Sequence, residues 1–147
     1  MKIAIANDHR GYNLKRQILL YIKELGYEVI DLGTDSEDAV DYPIYAKKVA
    51  DEINEKKADI GILICGTGIG MSIVANKVKG IRCAKVSTEE EAYLTRLDND
   101  ANVLALSYKT LKEEAFNIVK TFINTEKSNE ERHVKRRKLI EDLENEY

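Results

Sequence analysis

The chain has 147 residues, 44% of them hydrophobic and one a proline, which is enough for a real core and fits a single domain. A net charge of -3 implies no general attraction to nucleic acid or to an anionic membrane. No apolar run approaches the ~20 residues of a membrane span, and the MKIAIAND start turns polar too soon for a signal peptide, so the expected compartment is the cytoplasm.

Lys2 to Ala6 reads as a short strand that ends in Asn7, Asp8 and His9, just before Gly11. Leu14, Ile18, Tyr21, Ile22 and Leu25 then recur at helical spacing, with Gly26 as a stop signal. Glu28 to Leu32 makes a second strand. A polar loop, Gly33 to Asp41, leads to Tyr42-Pro43 and a helix with Ala46, Val49, Ala50 and Ile53 on one side. Ile60 to Ile64 is apolar without alternation, as suits a strand buried on both faces of a parallel sheet. Gly66, Gly68 and Gly70 follow at every second position, and Met71 to Val78 begins a helix. A fourth strand is expected near Arg82 to Val86. Ser87 with Glu90 reads as a capping box that opens a helix running toward Asp98. Val103 to Leu106 is the fifth strand, Leu111 to Ile123 the next helix, and Ser128 with Glu131 caps a last helix reaching Tyr147.

This alternation predicts an α/β fold: a single-domain, Rossmann-like three-layer sandwich. Its five-stranded parallel sheet carries helices on both faces, with an extra C-terminal helix. In the common strand order 2-1-3-4-5 the chain reverses direction between strands 1 and 3, and ligands bind in the crevice at that point. Asn7-Asp8-His9 and Cys65 to Gly70 would border it.

The glycine turn brings main-chain N–H groups close to a bound anion, and the helix start after it adds partial positive charge. Cys65, at the end of the third strand, lies in that field, so its thiol is expected to titrate below the free value of roughly 8.5. A purely structural reading, a small buried cysteine beside a tight turn, is as good on this residue alone. GTGIGM misses the GxGxxG spacing, which counts against a dinucleotide site. Cys65 and Cys83 have no CxxC spacing, so neither a zinc site nor a disulfide framework is suggested. On the last helix Arg132 and Arg136 share a face that His133 borders, a forked cationic surface suited to a phosphate ester. Followed by Glu141, Asp142, Glu144 and Glu146, the same residues also fit a solvated helix laced with ion pairs, and Tyr42 alone would read as a core aromatic.

These stretches resemble the ribose-5-phosphate isomerase B family, which includes the subunits of galactose-6-phosphate isomerase. The likeness rests on NDHRG, GYEVIDLGT, VDYP, ICGTGIGMSIVANKVKGIR, NDANVLAL and ERHVKRR, and so covers essentially the whole chain. It implies interconversion of an aldose phosphate with its ketose, without metal or cofactor. It also implies a homodimer whose two active sites each draw on both chains, with pairing into tetramers left open. By resemblance Cys65 is the base, taking the proton from C2 to give a cis-enediolate and returning it at C1. Members without the cysteine use a glutamate where this chain has Met71. The N–H groups from Gly66 through Gly68 to Gly70, with Thr67 and Ser72, would hold the enediolate oxygens. Asp8 and His9 would contact the sugar hydroxyls and phosphate end, Tyr42 the pocket edge, and Arg132, His133 and Arg136 the phosphate.

Two positions depart from the family's pattern. Asp98 stands before the sugar-binding Asn99 where most ribose-phosphate members have a histidine, given by the partner chain and linked to opening of the furanose ring. Lys109 replaces an arginine that reaches the phosphate from the other subunit. The expected substrate pair is ribose 5-phosphate and ribulose 5-phosphate. Alternatives are a hexose 6-phosphate (allose or galactose), with or without a homologous second subunit, and a non-catalytic sugar-phosphate-binding protein.

Overall fold

The computed structural model describes every residue from Met1 to Tyr147. Strands and helices alternate as β1 (Lys2–Asn7), α1 (Tyr12–Glu24), β2 (Glu28–Asp31), α2 (Tyr42–Asn54), β3 (Ile60–Cys65), α3 (Ile69–Asn76), β4 (Cys83–Lys85), α4 (Glu89–Asn99), β5 (Val103–Ser107), α5 (Lys112–Asn124) and α6 (Glu131–Glu144). No helix is long and apolar enough to cross a membrane.

Side chains alternate across a strand, so each strand feeds two cores. Ile3, Ile5, Ile62, Ile64, Leu104 and Leu106 pack against α1, α4 and α5. Ala4, Ala6, Leu63, Cys65, Val103 and Ala105 pack against α2 and α3. Each large aliphatic residue so buried contributes roughly 1.5–3 kcal/mol. The second face is built of smaller residues, and its helices sit closer. At Gly61 an added Cβ would stand 2.3 Å from Val49 Cγ1 of α2.

The sheet is parallel throughout and runs β2-β1-β3-β5-β4. This corrects the expected 2-1-3-4-5: β5, not β4, lies beside β3, from Gly61 opposite Val103 to Cys65 opposite Ser107. Burial explains the exchange. Val103 to Leu106 is apolar and wholly buried, which suits an interior strand, whereas Cys83–Lys85 is short, half-buried and ends in a lysine, as an edge strand should. The reversal between β1 and β3 is as expected, since β1 pairs with β2 on one side and β3 on the other.

Two caps also differ from the sequence reading. Thr88, not Ser87, opens α4: its hydroxyl accepts from the Glu91 N–H at 3.1 Å, and the Glu91 carboxylate accepts from the Ser87 N–H at 2.9 Å. The box thus lies one residue later, because Ser-x-x-Glu and Thr-x-x-Glu overlap. Ser128 accepts from the Glu130 N–H at 3.0 Å and closes a turn before α6 rather than capping it.

Buried Lys15, 1% exposed, donates to Asp31 Oδ2 at 2.7 Å and to the Thr34 carbonyl at 3.2 Å. A buried ammonium is tolerated only when paired in this way, so Lys15 ties the loop after β2 to α1. That loop leads to α2 and to the crevice.

The close seat of α2 on β3 is testable. Gly61→Ala is expected to cost about 1–3 kcal/mol through overpacking, read as a lower urea midpoint. An unchanged midpoint would mean that α2 is not held so near.

Candidate active site

β3 delivers Cys65 to the carboxyl edge of the sheet, and the glycine turn follows at once. Gly68 has φ +79°, a left-handed conformation that favours glycine, and a Cβ there would lie 3.0 Å from the Leu106 carbonyl carbon. The Thr67 hydroxyl accepts from the Ile69 N–H at 3.1 Å, and the Ser72 hydroxyl donates to the Ile69 carbonyl at 2.7 Å. The main-chain N–H groups of Gly66, Thr67, Gly68, Gly70 and Met71 find no acceptor in the chain. Such a row of free donors at a helix start is an anion-binding concavity. Cys65 itself is 3% exposed and walled in by the small-residue core of the α2–α3 face.

Three other segments converge on the turn. In the β1–α1 loop, the Asp8 N–H donates to the Ile64 carbonyl at 3.1 Å. Gly11 admits this approach, because a Cβ there would stand 2.5 Å from the same carbonyl oxygen. Asp8 Oδ1 accepts from the N–H groups of Arg10 and Gly11, at 2.9 and 3.1 Å, so the carboxylate fixes the loop that carries it. His9 Nδ1 accepts from the Val40 N–H at 3.2 Å, which joins the ring to the loop after β2. From α2, the Tyr42 ring lies on Gly70, where a Cβ would be 2.8 Å from two ring carbons. After β5, Ser107 Oγ donates to the Gly66 carbonyl at 2.9 Å, and the Tyr108 N–H donates to the Cys65 carbonyl at 2.9 Å. The Lys109 N–H donates to Ser107 Oγ at 3.2 Å, so exposed Lys109 begins beside the same turn.

The remaining predicted residues gather elsewhere. α4 runs against the strands, so Asp98 and Asn99 at its end lie at the amino edge of the sheet. Cys65 is level with Ser107 and Gly61 with Val103, so four residues of strand, roughly 13 Å, separate the two edges. His133 Nε2 is 3.5 Å from Asp98 Oδ1, and Arg132 Nε donates to His133 Nε2 at 3.4 Å. His133 Nδ1 is buried without a partner. Arg136 is exposed, whereas its neighbour Arg137 is buried and donates to the carbonyls of Asp98 and Ser128, at 3.3 and 2.7 Å. Within one chain, then, Asp8, His9, Tyr42, Cys65, Gly66, Thr67, Gly68, Gly70, Ser72 and Lys109 form one group. Asp98, Asn99, Arg132, His133 and Arg136 form another.

Sequence reasoning passed over three residues. Arg137 locks α6 to α4, Ser107 braces the glycine turn, and Arg10 lies across Gly66, where a Cβ would be 3.3 Å from its Cδ and Nη1. For Arg10 a signal was present: a cation directly after the polar residues that end β1, in a loop assigned to the crevice.

Fold and site together define a class, Rossmann-like α/β proteins with an anion-binding glycine turn at the switch point of a parallel sheet. Comparison with known proteins narrows the class. The profile of the ribose/galactose isomerase family matches residues 3–140. Ribose-5-phosphate isomerase B of Escherichia coli is 48% identical over 110 residues, which are 75% of this chain and 74% of that protein. The structure of ribose-5-phosphate isomerase B from Clostridium thermocellum has a TM-score of 0.96 at 46% identity, over 100% of this chain and 99% of that one. The Mycoplasma genitalium enzyme, solved with bound ribulose-5-phosphate, has a TM-score of 0.94 at 41% identity, over 99% of this chain and 97% of that one. The chain belongs to the ribose/galactose isomerase family.

The second cysteine, Cys83, gives a test of how burial acts on a thiol in this fold. Burial pushes the Cys83 thiol up to about 12, and the neighbouring Cys65 adds to the rise. At pH 8 its thiolate fraction is then about 10⁻⁴, so iodoacetamide should spare Cys83 in the folded protein. Peptide mass spectrometry showing Cys83 alkylated as fast as a free thiol would contradict this.

Proposed function

We propose that the protein interconverts ribose 5-phosphate and ribulose 5-phosphate, with Cys65 as the base. One observation carries this reading: five main-chain N–H groups without an acceptor stand directly after Cys65 in a chain of this family. The thiolate takes the proton from C2, and the C–H electron pair becomes a C1=C2 double bond. The carbonyl pair moves onto O1, the hydroxyl proton of O2 passes to O1, and as the thiol returns its proton at C1 the O2 electron pair closes the C2 carbonyl. Charge on O1 and O2 grows as the enediolate forms, so donors already aimed there lower the barrier without reorganising. Asp8 and His9 orient the sugar, Thr67 and Ser72 shape the turn, and Tyr42 closes its edge over Gly70.

The phosphate grip is assigned to Arg132, His133 and Arg136, with Asp98 as the acid–base group for ring opening, Asn99 beside it, and Lys109 as a further cation. Because these α4 and α6 residues lie some 13 Å from their own Cys65 level, the reading needs a symmetric homodimer in which each chain completes the other's site. Apolar residues left exposed on α3 (Ile69, Ile73) and α6 (Leu139, Ile140, Leu143) support such an interface. Asp98, where a histidine is usual, keeps a second reading open, a hexose 6-phosphate as substrate.

Coupled assays on ribose, allose and galactose phosphates decide the substrate: turnover of ribose 5-phosphate is expected, and hexose turnover alone would refute it. Sharing of sites is tested by mixing unfolded Cys65→Ala and Arg136→Ala chains and refolding them together. Half of the dimers are then mixed with one intact site each, so about a quarter of the activity should return. No recovery would place each site within one chain.

A further inference from the structure

Arg10 stands at the carboxyl edge without a task in the scheme above. Its backbone is fixed by the Asp8 carboxylate, through the 2.9 Å bond from its own N–H. Its side chain is exposed and engages no hydrogen bond or ion pair in the chain. It extends over Gly66 in close contact: a Cβ there would be 3.3 Å from Nη1 and 4.0 Å from Cζ. Of the other charges nearby, Lys109 is already given to the phosphate, and the rest are engaged within the chain. Asp8 holds the loop, Lys15 is paired with Asp31, and Lys85, whose stem passes Gly68, donates to the Ser87 hydroxyl at 2.7 Å. Arg10 is thus a free guanidinium laid against a turn whose N–H groups are also free.

We propose that Arg10 is a further substrate-binding residue, whose guanidinium contacts the enediolate oxygens held by the turn. The proposal rests on the isomerase reading. Main-chain N–H groups supply only partial charges, whereas the enediolate carries a full negative charge, and a guanidinium is the side chain that stays protonated and offers forked donors. Position selects the enediolate over the phosphate. Arg10 lies over Gly66, the residue bonded to Cys65 and the first of the free N–H donors, and the phosphorus lies several bonds further along the sugar. Arg10 neither gives nor takes a proton. The proton moves between C2, Cys65 and C1, while Arg10 meets the charge that this movement places on O1 and O2.

The experiment compares Arg10→Ala and Arg10→Lys with the unaltered protein on ribose 5-phosphate, with inorganic phosphate as a competitive inhibitor and a urea midpoint as the check on folding. Arg10→Ala is expected to lower kcat about a hundredfold, with KM changed less than about twofold. Inhibition by phosphate should be unchanged, and Arg10→Lys should recover part of the loss. An unchanged kcat would overturn the proposal, as would a rise in KM and weaker phosphate inhibition at intact kcat, which would put Arg10 on the phosphate. Both of those outcomes leave the isomerase reading standing. An unaltered protein that turns over no ribose 5-phosphate would remove that reading, and this proposal with it.

Discussion

The 3.1 Å bond from the Asp8 N–H to the Ile64 carbonyl is the constraint on which the carboxyl edge depends. It draws the β1–α1 loop onto the end of β3, and it exists because Gly11 presents no side chain to that carbonyl. With the loop so placed, Asp8, His9 and Arg10 lie beside the residue that follows the strand, and the strand leads straight into the glycine turn. Lys15 holds the next loop down through Asp31 and Thr34, and that loop in turn holds His9 through Val40. The crevice is therefore built by backbone contacts anchored in a core of large aliphatic residues, which suits a site that must present donors without rearranging.

The two faces of the sheet serve different ends. Isoleucine and leucine on the α1–α5 side supply most of the burial. Alanine, glycine and cysteine on the α2–α3 side let helices come close, and that closeness brings Tyr42 onto Gly70 and encloses Cys65. An enclosed thiol beside unpaired N–H groups is suited to proton transfer shielded from water, and on the same face burial pushes the Cys83 thiol up to about 12.

Much of this was legible in the sequence. The unbroken apolar run of β3, the spaced glycines and the helical periodicities each reflect a local physical preference, and the structure follows them. Strand order was not, since right-handed crossovers allow either neighbour for β3. The deciding signal was the contrast between VLAL and the short, lysine-ended β4. The α4 cap slipped by one residue because two overlapping motifs satisfy the same pattern. The split of the candidate residues into two groups follows from the direction of α4, which periodicity does not encode, and the roles of Arg10 and Arg137 depend on which way a side chain turns. What the sequence carried beyond physics was its likeness to the isomerase family, now matched over residues 3–140.

In the proposed reaction Cys65 moves hydrogen between adjacent carbons of a phosphorylated sugar. Deuterium wash-in tests it most directly: ribose 5-phosphate is incubated in D2O with the unaltered protein or with Cys65→Ala, and carbon-bound deuterium is read by proton NMR. Incorporation is expected with the unaltered protein and none with Cys65→Ala, whose affinity for inorganic phosphate should stay the same. Incorporation by Cys65→Ala at the unaltered rate would contradict it.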